Sequence, residues 1–80
     1  MKVNILAFGI VKDIFSKSII EVDVTDTATV AILKTQLEEK YPRLKQLSSY
    51  MVAVNNEYAG QEQLIDTRDE IAIIPPVSGG

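Results

Sequence analysis

The residues best placed to do chemistry in this chain are its last seven, Ile74-Pro75-Pro76-Val77-Ser78-Gly79-Gly80. What they offer is the α-carboxylate of Gly80, with a reference pKa of about 3.5 and so ionised at neutral pH. A carboxylate is a poor electrophile and must be activated before it can acylate anything. Adenylation by a partner enzyme would supply that activation. The attacking sulfur or amine must come from outside, because the chain contains no Cys. The reactive group expected here is therefore the C-terminus itself.

The residues around that carboxylate suit delivery into a partner. From Pro75 to Gly80 the chain can extend roughly 20 Å. Pro75 and Pro76 bias the base toward extended or polyproline geometry, which lowers the ordering cost of insertion. Gly79 and Gly80 lack side chains and can thread a channel where any Cβ would clash. Two terminal glycines arise by chance in about one chain in 200. The pair alone is a weak signal, and its weight depends on the elements behind it.

Composition narrows the alternatives. Eighty residues, 46% of them hydrophobic, form one globular domain with a thin core and little room for a deep pocket. Without Cys or His there is no thiolate nucleophile, no zinc-thiolate site and no histidine base or ligand. The expectation is no metal, no bound cofactor and no stand-alone catalysis. Net charge is −3, from eleven acidic and eight basic residues dispersed along the chain. That reads as a solvated surface with at most a mild preference for basic protein partners. A basic stripe with interleaved aromatics, which nucleic-acid binding needs, is not visible. Neither a signal peptide nor an apolar run of bilayer-spanning length is recognisable, so a cytoplasmic location is expected.

The elements that must position the tail follow from periodicity. Residues 2–8 alternate and read as a strand with both faces largely covered; Gly9 breaks it. Ile10 with Ile14, and Val11 with Phe15, predict a short helix over 10–16. Residues 18–24 alternate again, with Ile20, Val22 and Val24 on one face, and form an antiparallel pair with the first strand. A polar turn follows, in which Thr29 or Thr27 can cap a helix. Val30, Leu33, Leu37 and Tyr41 then line one face of a helix from 30 to 41, which Pro42 ends.

Residues 50–54 predict a third strand. Asn55-Asn56 accommodates the positive φ of a tight hairpin turn, and Glu57-Tyr58-Ala59 is the short return. A further short strand is placed at 63–65, with a turn at 66–69. The last strand, 70–74, is nearly all apolar and is placed centrally in the sheet. Pro75-Pro76 cannot donate to a ladder and terminates it. The order ββαβ(β)β, with its helix as a crossover, is an α+β fold. It is the β-grasp, or ubiquitin-like, architecture: a mixed sheet of four to five strands on one main helix. Residues 1–74 form the domain and 75–80 an extended, flexible C-terminal tail.

Three segments carry a resemblance that spans essentially the whole chain: Ala53-Val54-Asn55-Asn56-Glu57-Tyr58, Asp69-Glu70-Ile71-Ala72 and Ile74-Pro75-Pro76-Val77-Ser78-Gly79-Gly80. They resemble the small subunits of molybdopterin synthase, the MoaD family, and the C-terminal motif is the most specific of the three. The resemblance implies that an E1-like (MoeB-like) enzyme adenylates Gly80 and that a sulfur donor converts the adenylate to a thiocarboxylate, a C-terminal 1-thioglycine. It further implies insertion of the tail into a large catalytic (MoaE-like) subunit, usually in a heterotetramer. There the sulfur would pass to cyclic pyranopterin monophosphate during molybdenum cofactor biosynthesis. On this reading Gly80 bears the sulfur and Gly79 fits the channel. Ser78, Val77, Pro76 and Pro75 line the approach, and Ile73 or Ile74 contributes to an apolar docking surface. Whichever of the two faces the helix must be core, since successive strand residues point to opposite faces.

Two segments depart from the family pattern. Thr67-Arg68-Asp69 stands where Asp-Gly-Asp is usual, so a different turn type is expected. Gly9-Ile10-Val11-Lys12-Asp13 replaces an Ala followed by an Arg-Glu pair, keeping charge but not guanidinium geometry. Lys34, Lys40, Arg43, Lys45 and Arg68 read as a solvated face, and Tyr41 and Tyr58 as packing. Glu38 and Glu39 are adjacent on a helix and do not form a facing pair. A sulfur carrier for thiamine or tRNA thiolation, and a ubiquitin-like modifier conjugated through Gly80, are the competing functional readings.

Overall fold

The computed structural model describes residues 1–47 and 49–76. In chain order the elements are β1 (Lys2–Ala7), α1 (Gly9–Phe15), β2 (Ile19–Asp23), α2 (Val30–Lys40), a 3-10 helix (Pro42–Gln46), β3 (Met51–Val54), β4 (Glu57–Tyr58) and β5 (Ile71–Ile74). The strands make one sheet in the order β2-β1-β5-β3-β4. Among the described residues the β1–β5 pair is parallel and the other neighbouring pairs are antiparallel. This is the expected α+β arrangement, a mixed sheet with one main helix, and the near-continuous apolar strand β5 lies at its centre.

The core forms where alternating strand residues meet the helices. Val3, Ile5 and Ala7 of β1, Ile20 and Val22 of β2, Val52 and Val54 of β3, and Ile71 and Ile73 of β5 are buried on one face of the sheet. Against them pack Val11, Ile14 and Phe15 of α1, Val30, Leu33 and Leu37 of α2, and Leu44 of the 3-10 helix. The Phe15 and Tyr41 rings lie 4.6 Å apart between centroids, tilted by 43°. The helix α2 begins where Thr29 Oγ1 accepts the backbone N–H of Ile32 at 3.3 Å, satisfying one of its orphan donors. It ends before Tyr41, and Pro42 takes the first position of the 3-10 turn that follows.

Three local expectations change. β1 is covered on one face only, because both helices pack on the same side of the sheet; Lys2 and Asn4 on the other face are exposed. Helix α1 begins at Gly9 and not at residue 10, with Gly9 itself at φ +55°, and it ends where Ser16 turns left-handed at φ +64°. Residues 63–65 form no strand: an isolated bridge between Leu64 and Thr29 ties that segment to the start of α2. No helix among the described residues is long and apolar enough to cross a membrane.

Candidate functional site

The two neighbours Ile73 and Ile74 separate the core from the site. Ile73 is fully buried under the helices, whereas Ile74 points to the opposite, open face and is half-buried. Of the two residues considered for docking, Ile74 is therefore the one available and Ile73 is core.

Strand pairing extends that open face into an apolar strip. Ile19 pairs with Leu6, Leu6 with Ala72, Ala72 with Ala53, and Ala53 with Tyr58, so one row of side chains crosses all five strands. Directly opposed residues share a face, which places all five on the side away from the helices. Met51 pairs with Ile74 beside that row. Phe8, at the end of β1, joins Leu6 and Ile74 around a groove of about 340 Å³. Exposure is high for side chains of this type: Tyr58 69%, Ile19 52%, Phe8 48% and Met51 47%. A contiguous apolar patch of this kind marks an interaction surface.

The tail leaves from the same place. Pro75 and Pro76, both half-buried, follow Ile74 directly at the end of the central strand. The remaining residues assigned to the tail, Val77, Ser78, Gly79 and Gly80, lie outside the described residues. The strip and Pro75-Pro76 are thus brought together at the end of β5.

Sequence reasoning missed most of this face. Leu6 and Phe8 are apolar residues in the polar phase of the first strand's alternation, which was the available signal. Tyr58, expected to pack, stands on the open face; Tyr41 does pack, against Phe15.

The far end of the groove, near Asn56 and Glu70, is set by side-chain hydrogen bonds. Asn55 and Asn56 take φ of +54° and +69° in the hairpin turn. Asn55 Oδ1 accepts the backbone N–H of Glu70 at 2.9 Å, and its Nδ2 donates to Asp69 Oδ1 at 2.9 Å. The turn before β5 dispenses with glycine because carboxylates hold it. Asp66 Oδ2 accepts the backbone N–H of Arg68 at 3.0 Å, and Asp69 Oδ2 accepts that of Asp66 at 2.8 Å. That backbone donor, followed by the Arg68 guanidinium, holds the Asp66 carboxyl below its ordinary pKa. Thr67 Oγ1 donates to the Lys2 carbonyl at 2.6 Å and pins the turn to β1.

The charged residues of α2 serve the opposite side of the molecule. The Tyr50 hydroxyl donates to Glu38 Oε2, and Lys34 Nζ lies 4.8 Å from the centroid of the Tyr50 ring. Burial, then the bond to Glu38, raises the Tyr50 pKa well above the usual tyrosine value. Glu38 is therefore committed to Tyr50 and does not pair with Glu39. Among the described residues no group of acidic side chains is placed to hold a metal ion.

The profile of the ThiS family matches residues 5–80. The chain belongs to the ThiS family. It is 42% identical over 81 residues to the molybdopterin synthase sulfur carrier subunit of Dictyostelium discoideum, covering 96% of this chain and 94% of that one. To the protein of the same name from Mycobacterium tuberculosis it is 38% identical, over 100% of this chain and 99% of that one. Among solved structures it is similar to SAMP1 from Haloferax volcanii, with a TM-score of 0.85, 26% identity and complete coverage of both chains. The β-grasp architecture, reached from element order, is shared with that neighbour.

Proposed function

We infer that this chain is the sulfur carrier subunit of a molybdopterin synthase. The observation that carries the reading is the shared position of the apolar strip and the base of the tail, at the open face of the strand that ends in Ile74. One surface can then dock a partner and present the C-terminus to it. Full-length similarity to proteins named molybdopterin synthase sulfur carrier subunits supports assigning sulfur carriage to such a tail.

In the proposed cycle the Gly80 carboxylate attacks the α-phosphorus of ATP in an E1-like enzyme, and pyrophosphate leaves. A donor sulfur displaces AMP from the acyl adenylate, leaving a terminal thiocarboxylate, 1-thioglycine. The carrier then docks its strip on the large synthase subunit, Pro75 and Pro76 extend the tail inward, and Gly79 and Gly80 reach the cyclic pyranopterin substrate. The thiocarboxylate sulfur bonds to the pterin carbon, and water then hydrolyses the C–S bond of the resulting thioester, which leaves the sulfur on the pterin and returns Gly80 to a carboxylate. Residues 1–74 act as the docking domain and 75–80 as the reactive arm; catalysis belongs to the partners. A cytoplasmic location suits the proposed cycle, because ATP is available there.

Intact mass spectrometry of the untagged protein from its own cytoplasm tests this. A mass increase equal to replacing one oxygen by sulfur, absent when Gly80 is deleted, is the expected result. An unmodified mass accompanied by larger, isopeptide-linked species would replace the reading with a conjugated modifier.

A further inference from the structure

Two strands end the sheet, and they differ as edges. β4 has two residues, whereas β2 presents five, Ile19–Asp23. Beside the β1–β2 ladder, Ala7 donates its N–H to the Ser18 carbonyl at 2.8 Å and Val24 donates to the Met1 carbonyl at 2.8 Å. Antiparallel pairs alternate between bonded and non-bonded, so Ser18, Ile20, Val22 and Val24 direct their backbone groups at β1. Ile19, Glu21 and Asp23 direct theirs outward. At one end of this edge the Gln36 side chain of α2 donates to the Asp23 carbonyl and closes it. At the other end the chain bends at Lys17, directly after the left-handed Ser16. Among the described residues the stretch left open carries the N–H and C=O groups of Ile19 and Glu21.

We propose that this edge pairs antiparallel with the same edge of a second copy, across a two-fold axis at Ile20, joining the two five-stranded sheets into one. The register follows from the groups available. An axis at Ile20 sets Ile19 of each copy opposite Glu21 of the other, and the N–H and C=O of both residues then all find partners. An axis at Glu21 would need the Asp23 carbonyl, which Gln36 already holds, and would oppose two like charges. An axis at Ile19 would need Lys17 in extended conformation, and the chain bends there.

The side chains suit the same register. Lys17 falls opposite Asp23 of the second copy at both ends of the pairing. Lys17 is exposed and has no ion-pair partner among the described residues. On the open face Ile19, 52% exposed, lies diagonal to Ile19 of the second copy, within reach of a long side chain. The row Tyr58-Ala53-Ala72-Leu6-Ile19 therefore runs on into the second copy. The axis stands perpendicular to the sheet, so both open faces look the same way and both Ile74 side chains stay uncovered. Edge pairing is thus compatible with a partner on the strip. It stands independently of the sulfur-carrier reading.

The test is sedimentation velocity of the full chain. So short an interface belongs to the weak class, and a dissociation constant of about 0.1 mM is expected. Glu21→Pro removes an outward donor without removing a bond to β1, and should weaken the dimer at least about tenfold. Lys17→Asp and Asp23→Lys should each weaken it about tenfold, and together restore it to within about threefold of wild type. Should Glu21→Pro fail to fold, this charge exchange decides alone. Tyr58→Asp, at the far end of the strip, should leave the dimer unchanged. A chain that stays monomeric up to about 1 mM overturns the proposal. Loss of the dimer in Tyr58→Asp but not in Glu21→Pro overturns it in favour of strips packed face to face. A charge exchange that restores nothing overturns the axis at Ile20.

Discussion

Ile73 and Ile74, consecutive in β5, face opposite sides of the sheet: Ile73 lies against Val52 and Ala7 in the core, and Ile74 opposite Met51 on the open face. Truncating each should therefore affect a different property. Ile73→Ala leaves a cavity among fully buried neighbours and is expected to cost about 2–5 kcal/mol of stability in urea denaturation. Ile74→Asp places a charge in the apolar strip without disturbing that core. Its Tm should stay near wild type while affinity for the large subunit, measured by calorimetry, falls at least about tenfold. Equal effects of the two on stability would refute the assignment of faces.

The proline base gives a second expectation. Replacing Pro76 by Ala restores backbone freedom that insertion must then remove, worth about 0.4–1 kcal/mol. Binding to the large subunit should weaken about two- to fivefold, with no change in urea midpoint. A loss of stability in this variant would mean that Pro76 belongs to the folded domain and not to the arm.

Tyr50 predicts an alkaline limit. Its pKa is raised in the folded chain, by burial and by the Glu38 carboxylate, above the unfolded value of about 10. A group raised in this way stabilises the fold fully below the unfolded value and loses that contribution as pH rises through the folded one. The midpoint of urea unfolding should accordingly hold up to about pH 9 and decline above pH 10. Tyr50→Phe should start about 0.5–1.5 kcal/mol lower at pH 7, from the lost hydrogen bond, and decline less steeply. A parallel alkaline decline in both proteins would assign the titration elsewhere.

The hairpin asparagines should respond unequally to glycine. Both hold positive φ, which glycine adopts without strain, but among the described residues only Asn55 of the two is hydrogen-bonded through its side chain, to Asp69 and Glu70. Asn56→Gly is expected to be neutral or slightly stabilising. Asn55→Gly should cost about 1 kcal/mol and loosen the junction between the hairpin and β5, visible as faster amide exchange at Glu70. Similar effects of the two would leave the hydrogen bonds without energetic weight.

Local pattern is legible where one physical rule acts within a few residues. The 3- and 4-residue spacing of Val30, Leu33 and Leu37, the Thr29 cap and the stop at Pro42 define α2 without reference to the rest of the chain. The asparagine pair predicts its turn for the same reason. Leu64 reads as part of a strand because a brief apolar run specifies extension but not a pairing partner. β1 reads as covered on both faces because Leu6 and Phe8 are apolar. Whether such residues are buried depends on which layers exist, and this chain builds only one layer of helices.

By itself the sequence determined the element order, the central apolar strand and the chemistry available to the chain. With no Cys or His, the group the chain offers is its C-terminal carboxylate; the resemblance carried by Pro-Pro-Val-Ser-Gly-Gly adds sulfur carriage to it, beside the competing reading of a conjugated modifier. The tertiary structure decided what surrounds that tail. Leu6, Ala72, Ala53, Tyr58 and Ile19 are far apart in sequence and form one strip only because strand registers align them. Gly9 and Pro75, 66 positions apart, meet only because β1 and β5 run parallel. The β1–β5 register and the layer order arise from long-range pairing, which turn chemistry within a few residues does not specify.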